Sequence, residues 1–75
     1  MPTLKKRSLL LSGHATSIAL EPEFWAVLDA MAAQRSLSLA ALVVSIDRGR
    51  EGRPLASACR VAALKHAQGA PPPAR

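Results

Sequence analysis

The stretch HATSIALEPEFW, residues 14–25, constrains this chain more than any other, because its hydrophobic period changes halfway through. From Ala15 to Leu20, Thr16, Ile18 and Leu20 share one face and Ala15, Ser17 and Ala19 the other. That is the signature of a strand, whose successive side chains point to opposite sides. Ile18 and Leu20 mark its buried face. At Glu21-Pro22 the spacing becomes three and four, as a helix requires. Pro22 suits the first helical position, where its missing N–H costs nothing, and Glu21 and Glu23 place negative charge at the positive end of the helix dipole. A strand feeding a helix leaves an unpaired edge, which is a liability unless covered. Two partners are open to it. One is the same strand of a second copy, antiparallel across a two-fold axis. The other is SLLLS, residues 8–12, turned back at Gly13, although Leu10 faces away from Leu9 and Leu11 and spoils the alternation.

The remainder reads as helices. The first runs from Pro22 to Arg35 with Phe24, Trp25, Leu28, Met31 and Ala32 in one apolar stripe. Ser38 is a good N-cap for a second, Leu39 to Arg48, whose stripe is Leu39, Leu42, Val43 and Ile46. DRGREGRP, residues 47–54, has the glycines and charge of an exposed loop, with Arg48, Arg50 and Arg53 solvated among Asp47 and Glu51. A third helix spans Ala56 to Ala67, and Gly69 stops it. The expected class is mostly α with one short β-strand. Residues 1–7 read as a basic arm, 8–68 as the domain and 69–75 as a disordered Pro-rich tail.

Size sharpens the question of the partner. The chain has 75 residues, enough for one domain, and a core this small rarely supplies more than roughly 3–5 kcal/mol without a staple. Cys59 is the sole cysteine, so no disulfide staples it, and His14, Cys59 and His66 lack metal-ligand spacing. Oligomerisation remains, and elimination points to a homodimer. A net charge of +5 favours polyanionic partners, nucleic acid before anionic membrane. The apolar run Leu9-Leu10-Leu11 is too short for a signal peptide, no stretch approaches the ~20 apolar residues of a membrane span, and a lone cysteine suits a reducing compartment. The expected setting is cytoplasmic, with no membrane partner. Catalysis has no footing: the five carboxylates are scattered and no nucleophile–base set is present. No enzyme, cofactor or metal is expected. Trp25 belongs to the core, and with Phe24 the only other aromatic there is no stacking platform for single strands.

The order strand, helix, turn, helix resembles the ribbon-helix-helix family of bacterial DNA-binding proteins. The likeness is carried by TSIALEPEFWAVLDAMAAQRSLSLAALVVSI, residues 16–46, flanked by KRSLLLSGHA and LASACRVAALKHA. The wider likeness, about residues 6–66, is to a small bacterial subfamily of uncharacterised specificity. The resemblance implies an intertwined homodimer with an intermolecular two-stranded antiparallel ribbon, plus an additional C-terminal helix. It implies a repressor-like regulator whose ribbon enters the major groove of double-stranded DNA. Its base-facing positions would be Ala15, Ser17 and Ala19. Its phosphate contacts would be Ser38, Leu39 and Ala40 at the second helix N-terminus, joined by Lys5, Lys6, Arg7 and His14 beside the ribbon. Its dimer core would be Ile18, Leu20, Trp25, Leu28, Leu42, Val43 and Ile46. Ser36 stands where the family's turn often has glycine. Ala15 and Ala19 offer only methyl groups, which favours backbone-dominated or shape-dependent binding. The alternative is a dimeric protein-interaction module or antitoxin-like protein, with a protein partner held through residues 55–75.

Overall fold

The computed structural model describes residues 3–69. The element order is β1 (Lys5–Leu11), β2 (His14–Leu20), α1 (Pro22–Gln34), α2 (Leu39–Arg48) and α3 (Leu55–Ala67). The tail at 70–75, and the part of the 55–75 segment that overlaps it, lie outside the described residues.

The expectation of a single strand is corrected. β2 pairs antiparallel with β1 of its own chain, from Lys5 opposite Leu20 to Leu11 opposite His14. Ser12 and Gly13 join them, both at positive φ, 51° and 86°. That pair of left-handed residues defines the two-residue turn whose twist matches a hairpin. Lys5, Lys6 and Arg7, read as an arm ahead of the domain, form the first half of β1.

Leu9 and Leu11 point inward with Thr16, Ile18 and Leu20, while Leu10 points out, 65% exposed. Behind the inner face, Trp25, Leu28, Met31 and Ala32 of α1, Leu42 and Val43 of α2, and Cys59 and Ala63 of α3 complete the core. Six of the seven residues assigned to a dimer core, all but Ile46, are therefore buried by one chain alone, and Ile46 packs against them partly exposed. Trp25 fastens β1 to α1: its Nε1–H donates to the Lys5 carbonyl at 2.8 Å, the partner a buried indole needs.

α1 ends where Leu37 N–H donates to Ala32 O and Ser36 N–H to Ala33 O, a Schellman stop. Ser36 sits at φ 56°, so the glycine-like conformation is kept without the glycine. α2 then departs at 99° to α1. At its start, Ala41 N–H donates to Ser38 Oγ at 3.0 Å.

Candidate nucleic-acid interface

The hairpin's register decides which side chains share a surface. Lys6 lies opposite Ala19, Ser8 opposite Ser17 and Leu10 opposite Ala15, so these six residues form the outer face. The positions Ala15, Ser17 and Ala19 are thus brought together with Lys6, expected beside the ribbon, and with Ser8 and Leu10, which sequence reasoning did not place on this face. The two serine hydroxyls hydrogen-bond each other at 3.1 Å, which draws on the polar capacity of that surface. The turn at Gly13 leaves this hairpin open in the sequence, and the Ser12-Gly13 dipeptide between two apolar runs is the signal that favours it.

The side chains expected to meet phosphate are not all gathered in one place. Lys5 and Lys6 are exposed near the open end of the hairpin, and His14 is exposed at the turn. At about 3.3 Å per residue, roughly 20 Å separates the two ends. Arg7 is engaged: its guanidinium forks onto Asp29 at 3.1 and 3.3 Å and stacks 4.7 Å from the centre of the Trp25 ring. Together Lys5, Lys6, Arg7, Trp25 and Asp29 line a groove of about 400 Å³ between β1 and α1. At α2, Ser38 Oγ already caps Ala41, which leaves the first-turn N–H groups of Leu39 and Ala40 without an acceptor among the described residues. That is the open geometry a phosphate oxygen meets at a helix N-terminus.

The α2–α3 loop is tied to itself. Arg50 binds Asp47 at 2.6 Å and the Arg53 carbonyl at 2.7 Å, and with Arg53, Lys65, Val61 and Ala62 it lines a second groove of about 360 Å³. Where β2 hands over to α1, Arg60 of α3 donates to Glu21 at 2.9 Å. That hydrogen bond, with a backbone contribution from Glu21 itself, holds the Glu21 carboxyl below its usual range. Burial pushes the Cys59 thiol up, so it stays protonated and is a poor nucleophile. No group of three metal-ligating side chains occurs among the described residues, and no single helix there is long and apolar enough to cross a membrane.

A two-stranded antiparallel ribbon leading into two crossed helices, with an open second-helix N-terminus, defines a small ribbon-and-helices class of domain. The chain belongs to the ribbon-helix-helix domain family, which matches it over residues 4–67. Members of that family are in general DNA-binding regulators that dimerise. No curated protein and no solved structure matches the chain.

Proposed function

We propose that this protein is a cytoplasmic, bacterial, repressor-like regulator that binds double-stranded DNA as a homodimer through the outer face of its ribbon. The observation that carries the reading is family membership together with a ribbon whose outer face holds Lys6, Leu10 and four small side chains. A two-stranded ribbon is narrow enough for the roughly 12 Å major groove. Methyl groups at Ala15 and Ala19 touch thymine methyls and accept nothing, so affinity rests on phosphates and the net charge of +5.

The homodimer is supported by the two edges of the hairpin. In an antiparallel pair, the residues flanking a two-residue turn are hydrogen-bonded to each other, and alternate pairs follow. Ala15, Ser17 and Ala19 therefore aim their backbone N–H and C=O away from β1, and no bond outside the hairpin takes them among the described residues. β1 guards its own edge with Lys5, Lys6 and Arg7, whereas β2 carries no Lys, Arg, Asp or Glu, and charged strands resist pairing. Two copies of β2 meet antiparallel about Ser17, the middle of the strand, with Ala15 facing Ala19 of the second copy.

Duplex binding across a salt series tests the function. Affinity falls steeply with salt, and Lys6→Ala, which removes one cation from each protomer, lowers the log–log slope by about 1.8. Absence of duplex binding at low salt sinks the proposal. Ser17→Cys, made with Cys59→Ser, cross-links two chains if the dimer forms at β2, and Ser8→Cys does so if it forms at β1.

A second reading has its own observation. Leu10 and Leu4 are 65% and 50% exposed, which suits a protein partner better than a phosphate backbone. Capture of one dedicated partner with no retention on DNA favours that reading.

A further inference from the structure

Arg7 presents a contradiction that the DNA reading does not absorb. It stands among the cations of the ribbon, yet a carboxylate of its own chain occupies its fork. The planar guanidinium matches carboxylate and phosphate with the same paired N–H geometry. Asp29 therefore sits where two oxygens of a phosphate group would sit. Both partners are half exposed, with side chains at 41% and 50%, and an ion pair so exposed is weak. Stacking on Trp25 fixes the guanidinium plane whether or not Asp29 is in contact, because it engages the face of the group and leaves the N–H edge free. Lys5 and Lys6 line the same groove, so three cations and one carboxylate converge on one space.

We propose that the groove between β1 and α1 is a phosphate-binding site, and that Asp29 is its built-in competitor. A phosphate group entering beside Lys5 and Lys6 takes the Arg7 fork from Asp29, while the Trp25 ring holds Arg7 in place throughout. The site is separate from the α2 N-terminus and is built from different elements. Where the phosphate belongs to duplex DNA, this proposal rests on the DNA-binding reading above. Where it is free, it does not.

The test uses the full ¹⁵N-labelled chain with two probes, sodium pyrophosphate and a random-sequence duplex. Both are expected to shift the Trp25 indole N–H and the Arg7 Nε–H resonances, and Arg7→Gln removes the Trp25 shift. Asp29→Asn tightens both probes about fivefold and steepens the duplex salt slope by about 1.8, one further phosphate neutralised per protomer. Glu51→Gln, which removes the same charge in the α2–α3 loop, is the reference for a mere change in net charge. Equal gains from Asp29→Asn and Glu51→Gln, or pyrophosphate leaving Trp25 unmoved, overturn the site while duplex binding stands. Pyrophosphate shifts without duplex binding sustain the site and remove the DNA reading. Circular dichroism establishes that each variant is folded. If Asp29→Asn does not fold, the pyrophosphate titrations of the unaltered chain and of Arg7→Gln decide the matter.

Discussion

The two faces of the hairpin share one backbone and one register but carry opposite kinds of information. Inward, Leu11, Ile18 and Leu20 are buried against all three helices. Outward, Lys6, a pair of serines, Leu10 and two alanines meet solvent. A slip of one residue would exchange the faces, so the inner face alone sets the register. The outer face contributes little to that choice and is free to vary with whatever it touches. Fold and function are thus written on opposite sides of the same strands, one densely and one sparsely.

Substituting the same residue type on each side gives the sharpest contrast. Leu20→Ser leaves a cavity and a buried hydroxyl, and costs about 4 kcal/mol. For a domain of this size that approaches the whole stability, and chemical denaturation reads it directly. Trp25→Phe removes the donor to the Lys5 carbonyl and part of the packing beneath β1, for about 2 kcal/mol in the same assay. Gly13→Ala forces a Cβ into the left-handed turn at φ 86° and costs about 1 kcal/mol. Acid probes the junction between the inner face and α1. Because Arg60 holds Glu21 below its usual range, the contact stabilises the protein above that range and is lost as pH falls through the lower folded value. Glu21→Gln flattens this arm of the pH–stability curve. Leu10→Ser, on the outer face, stays within about 0.5 kcal/mol of the parent. A large loss there would show that the outer face is covered in solution and would break the contrast between the faces.

Much of this architecture was legible before any coordinates. β2, the three helices, the Ser38 cap and the core stripes follow from period and punctuation, and each helix boundary falls within a residue of expectation. β1 did not follow, for two physical reasons. Its first half is Lys-Lys-Arg, which reads as a solvated arm until Asp29, twenty-two residues away, is seen to pair with Arg7. Its second half is a run of three leucines that hides a period of two. The site divides along the same line. The outer positions of β2 were plain from alternation, whereas Lys6, Ser8 and Leu10 needed the register. The engagement of Arg7 needed the tertiary fold. Self-sufficient burial of the core by one chain also escaped sequence reasoning, because elimination took a core this small to need a staple and found neither a disulfide nor a metal site to supply one.

The chain holds a single tryptophan and no tyrosine, and that indole lies directly under the stacked Arg7 guanidinium while donating to the Lys5 carbonyl. Nearly all near-ultraviolet emission of the protein therefore originates beneath the cationic half of β1. Unfolding, undocking of that strand and rearrangement of the Arg7–Asp29 fork each alter the surroundings of one fluorophore, so the molecule carries a native optical reporter at the place where its charge is concentrated.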